Sequence, residues 1–109
     1  MKLGVFTPLL SELPLDHVLS KLSGLGIHTV ELGTGNYPGD AHCKLSMLDN
    51  PSELNEFRRT LERHGASISA LSCHGNPLHP NKEIAEKAQE TSRKTILLAE
   101  KLNVPVVDF

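Results

Sequence analysis

The stretch Ala66–Pro80, ASISALSCHGNPLHP, changes character halfway along its length. Ala66–Ser72 is small and apolar enough for a buried strand, whereas the residues after it are polar and turn-forming types typical of a loop. Proteins of the α/β class present reactive groups in this way, on loops that follow buried parallel strands. The stretch therefore predicts an α/β fold with chemically useful side chains after its third strand.

The rest of the chain alternates between strand and helix patterns. Short apolar runs predict further strands over Lys2–Phe6, Ile27–Leu32 and Val104–Phe109. Apolar residues at helical spacing, with capping residues at either end, predict helices over Pro14–Leu25, Asn50–Gly65 and Asn81–Leu102. The same spacing places Leu25 on the buried face of the first helix and Ile84 on that of the third.

This alternation predicts a parallel β-α-β-α-β-α-β sheet built from three βα units of similar length. A (β/α)₈ barrel takes roughly 250 residues, and this chain stops as its fourth strand ends, which would leave both edge strands open. We therefore expect residues 1–109 to form a single unit, the truncated N-terminal half of a TIM barrel. The alternative is a small open doubly wound sheet, for which a further covering helix after the fourth strand would be expected.

The composition of the chain indicates which binding partners and which cellular compartment to expect. The net charge is −2, and acidic and basic residues are interspersed, so nucleic acid is not a favoured partner. The N-terminus lacks a signal-peptide pattern, and no stretch is apolar enough to span a bilayer, so no membrane partner is expected. Two cysteines, Cys43 and Cys73, do not make a disulfide framework. These features predict a cytoplasmic protein, and the open edges are compatible with a homo-oligomer.

The second strand and its loop offer two candidate ligand-binding residues. Glu31 has the opposite parity to Val30 and Leu32, so it points into the barrel mouth if those two face the helices. It could then hydrogen-bond sugar hydroxyls, although a carboxylate paired with a lysine is an equal alternative. The loop Gly33–Lys44 carries His42; its glycines match no phosphate-binding fingerprint, and we interpret the loop as a flexible lid.

The loop after the third strand carries His74, Asn76 and His79. His74 follows the buried strand directly and shares parity with Ser72, so we interpret it as a functional residue that binds substrate. Asn76 is a further substrate-binding candidate, but loop capping explains both Asn76 and His79 more simply. A zinc site formed by the pairs His42-Cys43 and Cys73-His74 is disfavoured, because adjacent residues of an extended chain point in opposite directions.

The segments KLGVFTPLL, GIHTVELG, ALSCHGNPLHP and NVPVVDF, taken in this order, resemble the xylose-isomerase-like TIM-barrel superfamily. Within it the chain is most similar to the sugar phosphate isomerase/epimerase group, which is often filed with the family 2 AP endonucleases. The resemblance covers all 109 residues, and its most specific pieces are VELG and CHGNPLHP.

The resemblance implies a sugar or polyol (phosphate) isomerase or epimerase in which a divalent metal (Mn, Mg, Zn or Co) polarises a carbonyl during proton transfer. In such relatives most metal ligands lie on strands five to eight, which are absent here. The chain alone should therefore be inactive, and we assign it neither catalytic residues nor metal ligands. Two alternatives stay open. One is a non-catalytic half-barrel that self-associates or binds a small ligand. The other is a zinc-dependent AP endonuclease, in which His74 would match a metal-binding histidine.

Overall fold

The computed structural model describes residues 3–109 and has the predicted alternation of strands and helices. The strands are β1 (Gly4–Phe6), β2 (Thr29–Gly33), β3 (Ser67–Ser72) and β4 (Val107–Asp108). The helices are α1 (Leu15–Gly24), α2 (Pro51–Arg63) and α3 (Lys82–Leu102), and short 3₁₀ turns cover Thr7–Leu10 and Leu45–Asp49. Lys2, the predicted start of the first strand, lies outside the described residues.

The four strands form one parallel sheet in the order β1-β2-β3-β4, which confirms the predicted β-α-β-α-β-α-β fold class. These four strands show no reversal of order of the kind that marks the switch point of a doubly wound sheet, and both the half-barrel and the doubly wound sheet stay predictions. Strands that neighbour one another in the order in which they occur along the chain are typical of a (β/α)₈ barrel. That the sheet closes into a barrel stays a prediction.

All three helices pack on the same face of the sheet. One cluster of buried residues takes members from α1, α2 and α3 and from β2 and β3, among them Leu19, Phe57, Leu98, Leu32 and Leu71. Because consecutive crossovers in one direction are right-handed, the helices must fall on one side. The opposite side, which we call the open face, carries Phe6, Glu31, Ala70, Ser72 and Asp108.

A bulge in β3 sets which residues reach the open face. Val30 pairs with Ile68 while Glu31 pairs with Ala70, so Ser69 has no partner in the β2–β3 ladder. The extra residue resets the alternation of side chains. As a result Ile68 and Leu71 both pack toward the helices, and Ala70 and Ser72 share the open face.

The predicted helix starts are confirmed by their caps. The Asn50 side chain accepts a hydrogen bond from the Glu53 amide at 3.1 Å, and the Asn81 side chain accepts from the Glu83 and Ile84 amides. Two core assignments are wrong. Leu25 is 74% exposed because α1 ends one residue earlier, and Ile84 is 47% exposed because α3 buries Ala85 instead.

No helix among residues 3–109 has the length and apolar character needed to cross a membrane.

Candidate functional site

The carboxyl end of the open face carries two carboxylates on either side of a buried serine. Ser72 at the end of β3 is paired with Gly33 of β2 and with Asp108 of β4. Glu31 precedes Gly33 by two residues, so its side chain lies on the same face. Glu31 and Asp108 therefore flank β3 with a separation across the strands of about 10 Å, twice the strand spacing.

Glu31 is held in place from the neighbouring strand. The hydroxyl of Ser72 donates a hydrogen bond to Oε2 of Glu31, and Ser72 itself is fully buried while Glu31 is half-buried. A hydrogen bond to a carboxylate is stronger than one between neutral groups. Among residues 3–109 no hydrogen bond to Oε1 of Glu31 is seen, and a carboxylate oxygen on this face can accept one from a ligand. The lysine pairing considered as an alternative for Glu31 is not seen among the described residues.

Sequence reasoning missed Ser72 and Asp108 as members of this site. Asp108 is half-buried, and Val107 before it packs against the core, so Asp108 faces the open side. The carbonyl of Asp108 also accepts a hydrogen bond from the Cys73 amide at 3.0 Å. The signal for Asp108 was present in VPVVDF, where a carboxylate follows an apolar run in the same way as Glu31 does in HTVEL.

His74 lies at the same edge and is exposed. Its carbonyl accepts a hydrogen bond from the Tyr37 amide at 2.8 Å, so the loop after β2 runs beside the loop after β3. Asn36 adds a second tie, because its side-chain amide donates to the Cys73 carbonyl at 2.9 Å. The backbone that carries the exposed His74 side chain is thus anchored to the turn at Asn36 and Tyr37.

Asn76 and His79 cap the loop, as the simpler interpretation predicts. The Asn76 side chain accepts from the Leu78 amide at 3.1 Å, and its carbonyl accepts from the His79 amide at 3.2 Å. His79 Nδ1 accepts from the Asn81 amide at 2.9 Å, just before α3 begins. Asn76 remains exposed. Whether it binds substrate stays a prediction.

His42 lies inside the protein and has partners for both ring nitrogens. Nε2 is 2.7 Å from the carbonyl of Leu13, and because a carbonyl only accepts, Nε2 carries the proton. Nδ1, 3.0 Å from the Thr7 hydroxyl, then accepts from it in the neutral ring. His42 therefore ties its loop to the segment after β1, and both ligand-binding positions of the ring are taken. This arrangement does not favour the lid interpretation or a substrate contact for His42.

The two cysteines are free, buried thiols and do not come together with histidines as a metal centre. Burial, with a smaller contribution from the nearby Asp40 carboxylate, raises the pKa of Cys43 to about 12. Cys73 contacts the Ser92 hydroxyl at 3.8 Å. Across residues 3–109 there is no group of three or more histidine, cysteine or acidic side chains that could hold a metal ion.

These features define a singly wound parallel α/β unit whose carboxyl edge presents carboxylates, a hydroxyl and an imidazole. No protein-family model matches the chain. A curated relative from Bacillus subtilis strain 168, named Uncharacterized protein YfiH, is 35% identical to it over 108 residues. The match covers 98% of the chain and 34% of the relative, so the chain spans about a third of that protein's length. The resemblance to the xylose-isomerase-like superfamily stays a prediction.

Proposed function

We propose that this chain forms the substrate-binding N-terminal half of a (β/α)₈ sugar or polyol isomerase or epimerase. The observation that carries the proposal is the Glu31 carboxylate, which a buried serine orients on the open face at the carboxyl edge of the sheet. Active sites of such barrels lie at this edge, and residues from several strand ends contribute to them. The proposal extends to a small-molecule polyol as the substrate class.

The size of the relative supports the barrel. If 108 matched residues are 34% of YfiH, that protein has roughly 320 residues, which exceeds the roughly 250 that a (β/α)₈ barrel needs. The match covers one third of it, and this third contains four strands in barrel order. A longer protein of this kind has enough chain for four more βα units.

Glu31 and Asp108 would both bind hydroxyl groups of the substrate. A polyol has several O–H donors, and two carboxylates that reach the open face from either side of β3 can accept from more than one of them. His74, exposed at the edge, can donate to a carbonyl oxygen or shuttle a proton. Proton transfer next to a carbonyl is the chemistry that interconverts such sugars, and a base held within hydrogen-bond reach is its first requirement.

The divalent metal that the resemblance implies does not fit the described residues alone. Glu31 and Asp108 are too few ligands and lie on strands that are not adjacent. A metal would need most of its ligands from other strands of a complete barrel. We assign no step to it, and the roles above concern only groups of this chain.

Hydrogen exchange with solvent tests the proposed chemistry. The complete protein is incubated in D₂O with a panel of aldoses, ketoses and keto-polyols, with Mn²⁺, Mg²⁺, Zn²⁺ or Co²⁺ added singly, and deuterium uptake beside the carbonyl is followed by NMR. We expect uptake on at least one sugar and a loss of 10²-fold or more with Glu31→Gln, the scale of a lost general-base or positioning contact. Glu62→Gln, at an exposed position of α2, is the matched control and should leave the rate unchanged.

Two results would contradict the proposal. One is the absence of exchange on every sugar tested. The other is equal loss in Glu31→Gln and Glu62→Gln, which would mean that Glu31 has no special role. Cleavage of an abasic DNA duplex by the same preparation would instead support the endonuclease alternative.

Self-association is a second candidate, and one specific surface favours it. Phe109 is 60% exposed and Ile96 of α3 is 49% exposed, and together with Cys73 and Pro77 they line a groove of about 370 Å³ beside β4. Apolar surface of this kind at an open sheet edge is a site for pairing with another chain. Sedimentation of the 109-residue chain tests it: a dimer that Phe109→Ser dissociates supports this candidate, and a monomer excludes it.

We also infer a cytoplasmic location, because both cysteines are unpaired thiols, as is usual in reducing compartments. Secretion of the protein from its native cell would contradict this.

A further inference from the structure

The end of β2 is joined to α3 by two buried threonines, which we call the threonine pair. Thr34 is the first residue after β2, Thr95 belongs to α3, and their hydroxyl oxygens are 2.8 Å apart. A buried hydroxyl costs free energy unless it is hydrogen-bonded, and a valine at either position would fill nearly the same volume without that cost. What the pair adds to the packing is therefore its hydrogen bonds.

The hydroxyl protons of the threonine pair have a definite direction. Thr95 donates to the carbonyl of Thr91, one turn earlier in α3, at 2.7 Å. Because a hydroxyl has a single proton, Thr34 is the donor in the 2.8 Å contact with Thr95. The amide of Thr34 donates to the carbonyl of Ser72 at 2.9 Å, and its hydroxyl oxygen lies 3.3 Å from the same carbonyl. Thr34 thus connects the end of β3 to α3.

Ser72 extends this connection to the carboxylate of Glu31. Its backbone carbonyl is held by Thr34, and its hydroxyl donates to Oε2 of Glu31 on the open face. Glu31 precedes Thr34 by only three residues along the chain. The contacts therefore close a ring: the chain leads from Glu31 to Thr34, and hydrogen bonds lead back through Ser72. Thr95 fastens this ring to α3.

The helix that anchors the ring is itself packed closely against the strand ends. A Cβ atom added at Gly35 would lie 2.9 Å from Cγ2 of Thr91, and one added at Gly75 would lie 3.2 Å from Cβ of Ala88. The loops after β2 and β3 therefore lie directly on α3, in the two turns before Thr95. Because close-packed groups cannot shift without strain, α3 is a fixed reference for the positions of these strand ends.

We propose that the threonine pair positions the Glu31 carboxylate, acting through Ser72. This inference rests on the proposed function for what Glu31 does, whereas the link itself depends on no ligand. A group that accepts a proton or a hydrogen bond must be held within a fraction of an ångström of its productive position. Apolar packing constrains volume, and a fully satisfied hydrogen-bond network also fixes direction.

A variant that lacks both hydroxyls separates positioning from stability. In Thr34→Val/Thr95→Val the Ser72 carbonyl keeps the amide of residue 34 as its donor, and the Thr91 carbonyl still belongs to the helix. Replacing both partners of a hydrogen bond by apolar groups of the same shape is nearly neutral, so we expect Tm to change by less than about 5 °C. The positions of Ser72 and Glu31 should nevertheless change.

NMR of the complete protein gives a readout that requires no substrate. The Ser72 hydroxyl is buried and hydrogen-bonded, so its proton should exchange slowly enough to be detected, and Ser72→Ala identifies the signal by its loss. We expect the double variant to shift or broaden this signal, and Thr34→Ser, which keeps the hydroxyl, to leave it in place. Thr60→Val is the matched control. Thr60 of α2 donates to the carbonyl four residues earlier at 3.0 Å, as Thr95 does, and is not a member of the ring.

The rate of deuterium uptake gives the functional readout. With the sugar that the wild-type protein exchanges fastest, we expect the double variant to lower kcat about tenfold and to change KM less than about twofold, because a displaced group affects the reaction more than binding. Thr34→Ser should keep kcat within about twofold of the wild-type value. Thr60→Val should leave kcat unchanged.

Several results overturn the inference, and they are distinguishable from failure of the proposed function. An unchanged Ser72 signal in the double variant overturns it, whether or not any sugar is exchanged. A changed signal with unchanged kcat also overturns it, and if Glu31→Gln still loses activity the proposed function stands. Equal loss of kcat in Thr60→Val overturns it as well, because the loss would then reflect general destabilisation. If the wild-type protein exchanges no sugar, the proposed function fails, and the Ser72 signal alone decides whether the threonine pair holds the carboxylate.

Discussion

Gly33 at the end of β2 provides a test of how tightly the loop after it is packed. A Cβ atom added there would lie 2.6 Å from the backbone oxygen of Gly39, 3.0 Å from Pro8 Cγ and 3.1 Å from Pro38 Cβ. The first contact is with backbone, so it cannot be relieved by a side-chain rotation. We expect Gly33→Ala to displace the turn by several tenths of an ångström.

The cost follows from what that displacement strains. Overpacking a buried site costs about 1–3 kcal/mol. The turn is also held by the Tyr37–His74 hydrogen bond at 2.8 Å, and weakening one such bond adds about 1 kcal/mol. We therefore expect Gly33→Ala to lower the free energy of unfolding by about 2–4 kcal/mol, equivalent to a fall in Tm of roughly 10–25 °C for a domain of this size.

Gly24→Ala is the matched control for this measurement. Gly24 is the last residue of α1, and nothing lies within 4 Å of a Cβ added to it. The same substitution there should be neutral or stabilise by up to about 1 kcal/mol, because alanine favours helix more than glycine does. Urea unfolding followed by circular dichroism measures both variants. A Gly33→Ala variant whose free energy of unfolding lies within about 0.5 kcal/mol of the wild-type value would contradict the close packing of this loop.

Three further predictions concern titration and buried hydroxyls. The folded state raises the pKa of Cys43 to about 12 from 9.0, because the thiol is buried. The free energy of unfolding should therefore fall between pH 9 and 12, by up to about 1.4 kcal/mol per pH unit. Cys43→Ala should flatten this part of a plot of urea midpoint against pH. The hydrogen bond from His64 holds the pKa of Asp16 below its ordinary 3.8, so Asp16→Asn should lower the free energy of unfolding at neutral pH. The difference between variant and wild type should vanish as pH falls below about 4, and a difference that grows in acid would contradict this. Thr34 and Thr95 are buried, and their hydroxyl oxygens are 2.8 Å apart. Thr95→Val should therefore lower the free energy of unfolding by about 1–2 kcal/mol. A double-mutant cycle with Thr34→Val that shows no coupling would disprove the contact.

Local patterns predicted the elements of this fold and the order in which they occur. Asn50 and Asn81 are capping residues whose effect depends only on amides two or three positions ahead, so the sequence contains all that is needed to place them. The parallel sheet follows from the alternation of apolar runs with amphipathic helices. The side of α3 that is buried was harder to place. Ala88 packs close to the backbone at Gly75, where a small residue fits, while the pattern of large apolar residues pointed partly to Ile84.

The candidate site was predicted in part. Glu31 lies on the open face, as its parity indicates, and His74 lies at the same edge. The role of His42 could not be seen, because its partners Thr7 and Leu13 are 35 and 29 residues away and contact it only in the folded chain. The Glu31–Ser72 contact depends on strand register, which the bulge at Ser69 changes and no local pattern shows.

The unpaired residue in β3 also bears on how related chains should be compared. Removing Ser69 would leave Val30 opposite Ile68 and Glu31 opposite Ala70, so an uninterrupted ladder would form and Ser72 would still lie on the carboxylate side. The strand can therefore gain or lose one residue here without turning its far end over. Homologues one residue shorter between Ile68 and Leu71 should keep the same chemistry, and a gap at this point of an alignment is no sign that it has been lost.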